Sequence, residues 1–419
     1  MSGTIKGLRT TSGWSGVLRL EDWIFTESRL RLWGSGLAVA YAVHLAAQLL
    51  KGHWLTLADG TLKKIDFGYI WVSANLAVSS DPARIFDNSA FSSAQLALFG
   101  PDNWPVIPDF VYPPTFLLFT YPLGLMPYLI AFMVWTVATL VLYLAAVYAI
   151  IPRPASAILA LTPCPVLFNV ALGQNGFLTA GLVGLSLAFM ERGPWLSGIF
   201  LGLLTYKPQF GILFPFALLA SGNWRVFFSA AATSVVLGIT AAMAFGYQGW
   251  VSFIYSLADR NSHLGEVPGW QPTLVSIFGF LQSAGASISI SWTVHLAVAA
   301  IVALTICAIW AKALPHSLKA AALCTGSVVI TPYVQGYDLC LLSIAVAFFV
   351  KDGLSRGFLP GERVAIFVCW AELILLLEPP IPPIICMVLL VLIVRRTTLG
   401  RGETFGAPPL VLRGACGHG

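Results

Sequence analysis

YLIAFMVWTVATLVLYLAAVYAI, residues 128–150, decides the fold, because it is apolar from end to end. It is long enough to cross a hydrocarbon core of about 30 Å as a single helix. A bilayer offers the backbone no hydrogen bonds, so such a run is helix and not strand. Comparable runs lie at 30–50, 174–190, 226–245, 290–311 and 336–350, with weaker ones at 155–171, 195–206, 208–221, 318–333, 363–378 and 381–394. Two more apolar pieces, 114–126 and 271–285, are short or broken by Pro and Gly and read as re-entrant or interfacial. The expectation is an all-α, polytopic integral membrane protein with about twelve crossings.

Composition agrees with this reading. Hydrophobic residues make up 58% of the 419 positions, charged residues 10%, and the mean hydropathy is +0.82. A soluble domain carries about 25% charged residues. The few polar stretches must therefore hold whatever chemistry the chain performs.

The basic residues set the orientation. Lys6, Arg9, Arg19, Arg29 and Arg31 precede the first run, and MERG, SGNWR, KALPHSLK, KDGLSRGFLPGER and RRTTLGR all fit on the same cytoplasmic side. Residues 1–29 are then a cytoplasmic segment, 30–394 the membrane domain, and 395–419 a cytoplasmic tail. The loop 51–113 falls outside. Over 51–110 it has four basic residues against Asp59, Asp66, Asp81, Asp87, Asp102 and Asp109. The net charge of +5 reflects cytoplasmic anchoring, so no nucleic-acid partner is expected. Trp14, Trp23, Trp33, Trp54, Trp195, Trp224, Trp250 and Trp270 lie near run ends and suit the headgroup zone, where membrane lipids are the partner. No cleavable leader is visible in the mixed, polar first 29 residues. The seven Cys form no CxxC pair and no cluster with His, so no metal site is expected.

Five polar sets fall on the outer side under this topology: Asp66 with Tyr69; Tyr112-Pro113-Pro114; Gly173-Gln174-Asn175; Lys207-Pro208; and Thr331-Pro332-Tyr333 with Tyr337-Asp338. Each has a plainer reading. Asp66 in KKIDFGYIWVSANL could only solvate a loop, YPP could only turn the chain, GQN could cap the following helix, and Asp338 could favour a helix start. Lys207 is harder to explain structurally, since no acid lies near it in sequence and an unpaired ammonium at membrane depth calls for an anion.

These segments together resemble a family. DFGYIWVSANL (66–76) with IFD (85–87), YPPTFLLFTYPLGLMP with AFMVW (112–135), LGQNGFLTAGLVGLSLAFMERGPWLSGIFLGLLTYKPQFGILFPFALL (172–219) and TPYVQGYDLCLL (331–342) look like glycosyltransferase family 87. The likeness runs in order from about residue 30 to 350. It implies a GT-C-like fold in the cell's inner membrane, with a multi-pass chain and an active site on the extracytoplasmic side. It implies a polyprenyl-phosphate sugar as donor, a glycolipid or glycan as acceptor, and an aspartate in the first outer loop as base. Asp66 matches that aspartate, and Lys207 matches the family's Lys-Pro element, suited to the donor phosphate. The implied activity is an inverting transfer of a hexose, mannose first, with no cofactor beyond the lipid-linked donor and no metal. Tyr69, Tyr112, Gln174, Asn175, Tyr337 and Asp338 would line the donor or acceptor pockets. DPARIFD spaces Asp81 and Asp87 too far apart for the DxD motif of nucleotide-sugar enzymes, and no GxGxxG or P-loop is present.

The chemistry suits these residues: a carboxylate can take the proton of an attacking hydroxyl, and an ammonium can offset charge on a departing phosphate. A secondary transporter or lipid-linked sugar flippase is the alternative, kept open by Lys207 and Glu372 and by the broken runs. A purely structural subunit leaves the one-sided polar clustering unexplained. The segment 246–270, with Asp259, Arg260, His263 and Glu266, reads as a loop placed to select the acceptor. Glu372 and Glu378 read as structural.

Overall fold

A computed structural model describes residues 26–79, 82–100, 110–263, 274–375 and 381–399. The described residues open with α1 (Glu27–Leu50) and a two-stranded antiparallel ribbon, β1 (His53–Trp54) and β2 (Thr56–Leu57). The following segment forms α2 (Phe67–Ser79), a 3-10 turn at Pro82–Phe86, α3 (Asn88–Phe99) and α4 (Thr115–Gly124). The long α5 (Tyr128–Ile150) follows, then the pair α6 (Pro154–Ala160) and α7 (Cys164–Leu172). Next come α8 (Gly176–Phe189), α9 (Pro194–Leu203), 3-10 turns at Leu204–Tyr206 and Pro208–Gly211, α10 (Leu213–Ser221) and α11 (Trp224–Phe245). The last part contains α12 (Tyr247–His263), α13 (Ile277–Ser283), α14 (Ile288–Trp310), α15 (His316–Val329), a 3-10 turn at Gly336–Leu339, α16 (Cys340–Arg356), α17 (Glu362–Leu375) and α18 (Ile381–Leu399).

The all-α membrane character expected from the runs is present, and the count of about twelve crossings is not confirmed. Among the described residues five single helices are long and apolar enough to cross: α1, α5, α11, α14 and α18, and the bent α6–α7 pair makes a sixth if it is one span. Two of the other runs are apolar through burial against protein. α8 is buried along Gly176–Leu187 and packs against α5, α9 and α16, and α15 is buried along Ala320–Val329 against α16 and α18. Hydropathy rewards an apolar neighbour of either kind, so it overcounts spans wherever short helices form the core.

Proline and glycine set the breaks. Pro163 interrupts the run 155–171 and the two halves bend by 66°, because proline removes a donor and clashes with the preceding turn. The two 3-10 turns flanking Lys207 split 195–221 the same way, with Pro208 opening the second. α5 shows the alternative, an unbroken helix with two faces. Phe132, Trp135, Thr139, Tyr143 and Ala146 are buried, while Met133, Val137 and Val141 are exposed and apolar. That spacing gives one protein-facing stripe and one lipid-facing stripe.

The short helices converge on one level. α8 begins, the α9 segment ends, and α16 begins at turns holding Asn175, Lys207 and Asp338 respectively. At 1.5 Å per residue, the 14 residues of α8 span about 21 Å and the 22 of α11 about 33 Å. The Trp135 indole donates to Gly173 O at 3.0 Å. Trp135 is two turns into α5, which places that loop about 10 Å along the helix from Tyr128. The polar turns thus meet inside the thickness of the bundle.

Three further expectations change. Residues 247–263, read as loop, form α12, while the side chains of Asp259, Arg260 and His263, together with Glu266 and Trp270, lie outside the described residues. Glu378, the Glu372 side chain, Trp14 and Trp23 also lie outside them. Trp54, expected in the headgroup zone, is half-buried and donates to Ala171 O at 2.8 Å, whereas Trp195 and Trp224 are exposed. Finally, α18 continues to Leu399, and two segments read as surface anchors enclose a buried ion network. Arg396 bonds Asp352 at 2.5 Å and Glu362 at 2.5 and 2.8 Å, and Arg356 bonds Asp352 at 2.5 Å. Each acid is matched by an arginine, so the burial of charge is compensated and α16, α17 and α18 are tied together.

Candidate active site

The loop between α7 and α8 is the centre of the polar region. Gly173 ends α7 in the left-handed conformation (φ +66°), which glycine adopts without the penalty of a Cβ. A Cβ there would also meet the Cβ of Phe67 at 2.6 Å. The first turn of α2 therefore docks onto the loop, with Phe67 seated between Tyr128 and Phe132, each 5.5 Å away. Docking brings Asp66, the residue before α2, to Gln174, whose Nε2 donates to Asp66 Oδ2 at 2.9 Å. Asp66 is half-buried, and its Oδ1 has no protein hydrogen bond among the described residues.

Gly176 provides the second close approach. A Cβ at this position would lie 2.1 Å from Tyr337 O and under 3 Å from the Asn169 amide. The Asn169 amide in turn donates to Tyr337 O at 2.8 Å and to Pro165 O at 2.9 Å. The 336–339 turn is thereby pressed against the start of α8, which carries Asp338 into the centre.

Asn175 joins the two sides. Its Nδ2 donates to the Tyr112 hydroxyl at 2.6 Å, and its Oδ1 accepts from Lys207 Nζ at 2.9 Å. Tyr112 also accepts from the Tyr69 hydroxyl at 2.9 Å, and the two rings are parallel, 6.1 Å apart. Lys207 Nζ lies 2.5 Å from Asp338 Oδ1, 5.1 Å from the Tyr337 ring and 5.4 Å from the Phe210 ring. Asp338 Oδ2 accepts from the Gln335 backbone N–H at 3.2 Å.

The sequence-derived residues Asp66, Tyr69, Tyr112, Gln174, Asn175, Lys207, Tyr337 and Asp338 thus occupy one contiguous cluster. One expectation is corrected. Lys207 is not an unpaired cation, because Asp338, 131 positions away in the chain, supplies its counter-charge in the buried interior. The Thr331-Pro332-Tyr333 part of its set stays outside the cluster: the Thr331 hydroxyl donates to Ser327 O at 2.7 Å, and Pro332 O accepts from Ser276. Sequence reading missed Asn169, and also Tyr206, whose hydroxyl lies 2.6 Å from that of Thr179 and 3.4 Å from Asn175 O. Both sit in otherwise apolar stretches, and a polar side chain in that setting is the signal that marked Gln174 and Asn175.

The two carboxylates differ in environment. Asp338 has an ammonium in contact, whereas Asp66 has an amide in contact and Lys64 nearby. Burial raises the Asp66 pKa, and the Gln174 hydrogen bond and the Lys64 charge offset only part of that rise. Burial likewise lowers the Lys64 pKa, with the Asp66 charge opposing it. Among the described residues no group of three His, Cys, Asp or Glu is placed to hold a metal ion.

Such an arrangement supplies a carboxylate with one oxygen open, hydroxyls and amides about it, and a held ammonium, which are the groups a hydroxyl-to-phosphosugar transfer uses. The comparisons bear on that. No curated protein and no solved structure matches the chain. The model of glycosyltransferase family 87 matches residues 110–332, more than half of the chain, including Tyr112, Gln174, Asn175 and Lys207. A helical membrane protein that carries this family's pattern over more than half of its length, through Tyr112, Gln174, Asn175 and Lys207, belongs to glycosyltransferase family 87.

Proposed function

We propose that this glycosyltransferase takes a hexose, mannose first, from a polyprenyl-phosphate donor and places it with inversion on a glycan or glycolipid acceptor at the outer face of the cell membrane. Asp66 is the general base. Its Oδ1 takes the proton of an acceptor hydroxyl as that oxygen attacks the anomeric carbon. The bond from that carbon to the phosphate oxygen breaks, and its electron pair leaves with polyprenyl phosphate. The proton on Asp66 then passes to solvent. Lys207 faces the departing phosphate. A lysine ammonium has three N–H donors, and Asp338 and Asn175 take two of them, which leaves the third for a phosphate oxygen. Asp338 is on this reading a positioning residue for the amine, and Tyr69, Tyr112, Gln174 and Tyr337 line the sugar. No metal or cofactor is part of the proposal.

The observation that carries the reading is the juxtaposition of Asp66 with the Gln174–Asn175–Lys207 chain of hydrogen bonds. The depth of the cluster suits a donor that arrives sideways from the bilayer. The test is transfer from a panel of radiolabelled polyprenyl-phosphate sugars by membranes holding wild type or Asp66→Asn. Wild type should label an acceptor and the variant should not, at equal amounts of inserted protein. Equal labelling by the variant removes Asp66 from the chemistry. A buried ion pair at broken helices is also the arrangement of a transporter site, and sugar flux in proteoliposomes without any transfer product would replace the proposal with that reading.

A further inference from the structure

A cavity of about 570 Å³ lies outside the cluster, between the Pro82–Phe86 turn with the start of α3 on one side and α12 on the other. Its lining is polar except for Phe86 and the Tyr255 ring. Arg84 makes no ion pair within 4.0 Å among the described residues, although its charge acts on Asp87. Asp87 caps α3 through Oδ1, which accepts from the Ser89 and Ala90 N–H groups at 2.9 and 3.0 Å and from the Ser89 hydroxyl at 2.7 Å. Its Oδ2 remains open. Ser252 adds a hydroxyl one turn before Ser256 on the same face of α12, and Tyr255 is 73% exposed.

Phe86 connects this cavity to the cluster. Its ring lies 5.7 Å from Phe110, which lies 5.8 Å from Tyr112. Two aromatic contacts thus separate the cleft from the hydroxyl that Asn175 and Tyr69 hold.

We propose that this cleft binds the non-reacting sugar units of a carbohydrate acceptor, a substrate class for the transfer proposed above and resting on that reading. A saccharide presents vicinal hydroxyls on its edges and C–H groups on its faces. Arg84 donates to paired hydroxyl oxygens, Asp87 Oδ2 accepts from a hydroxyl, Ser252 does either, and the exposed Tyr255 ring covers a sugar face. An isoprenoid chain could satisfy none of these groups, so the donor's lipid is the wrong occupant for a cleft lined this way. A few convergent polar groups around an aromatic platform are what fix a ligand's orientation in a pocket of this size. The cleft accounts for acceptor selection without any contact to the sugar being transferred.

The experiment uses the full chain in nanodiscs and saturation-transfer NMR with a panel of neutral disaccharides that includes mannobioses and glucobioses. At least one should bind wild type and bind Asp66→Asn equally. Arg84→Ala and Tyr255→Ala should each weaken it about tenfold, the loss expected for a hydrogen bond to a charged group or an equivalent contact. In transfer assays the same variants should raise the acceptor KM by about that factor while the donor KM and kcat hold. Unchanged binding by both variants overturns the proposal, as does a panel from which nothing binds wild type. Transfer retained by Asp66→Asn, with disaccharide binding intact and sensitive to Arg84, would instead count against the Asp66 reading and leave the cleft in place.

Discussion

Lys207 and Asp338 are the pair whose disruption tests the site most directly. Their charged atoms stand 2.5 Å apart, with 5% and 1% of the side chains exposed. At an effective dielectric of about 20, charges at that separation attract by about 7 kcal/mol. Leaving water costs each ion several kcal/mol, which consumes most of the gain. The pair as a whole is therefore close to neutral for stability, but either member alone is a buried uncompensated charge. Lys207→Met and Asp338→Leu should each cost about 3–5 kcal/mol, and the double variant should fall within about 1 kcal/mol of wild type. Equilibrium unfolding of the purified chain in mixed micelles, run as a double-mutant cycle, measures both quantities. Single variants that cost under about 1 kcal/mol, or that simply add, would refute a desolvated ion pair. The double variant also separates structure from chemistry. It should fold and yet fail to transfer sugar, because no amine remains to meet the phosphate.

Asp66→Asn should lower transfer by about 10²- to 10⁴-fold, the range for a positioned base, in the labelled-donor assay. Because burial raises the Asp66 pKa, wild-type activity should fall with acidification at a higher pH than for an ordinary carboxylate, read from kcat/KM against pH. The same shift has a stability sign: a folded pKa above the unfolded value of about 3.9 means the ionised form costs stability once pH rises through the folded pKa. Asp66→Asn should accordingly be the more stable protein at neutral pH, with the difference closing in acid, as followed by unfolding at several pH values. Gly176→Ala places a methyl against Tyr337 O, where a Cβ would lie at 2.1 Å, and should cost about 1–3 kcal/mol in the same unfolding assay. Arg396→Met strips the counter-charge from Glu362 and one of the two from Asp352, both fully buried, and should cost about 3–5 kcal/mol while leaving activity per folded molecule unchanged.

The members of the polar cluster were more legible in the sequence than the helix packing. Tyr112, Gln174, Asn175, Lys207 and Asp338 were visible because each is polar where the chain is otherwise apolar, and a bundle with little water gathers such groups together. What sequence could not give was who pairs with whom. Lys207 had no acid near it, and Asp338 reaches it only because Gly176 lets the 336–339 turn press against α8. Crossing helices were hard to tell from core helices for the converse reason. α8 and α15 are as apolar as a span, yet what surrounds them is protein, and no periodicity separates the two environments. Lys351 to Arg363 and Arg395 to Arg401 read as surface charge because local sequence does not show that Arg396 reaches Asp352 and Glu362 across three helices.

On the proposed function, two carboxylates in one cluster compete for the role of base, and their neighbours favour Asp66. Asp338 is held by an ammonium at 2.5 Å and by a backbone N–H, so its charge is spent on Lys207 and a proton placed on it would break that pair. Asp66 has one oxygen on a neutral amide and the other free, in a setting that favours the protonated form more than water does. A base must accept a proton without losing the interactions that hold it in place. Asp66 can, since Gln174 continues to donate to Oδ2 when Oδ1 is protonated. Here the division follows from a single feature of the bundle: the turn bearing Asp338 is buried against Lys207, while the segment bearing Asp66 only docks at its edge.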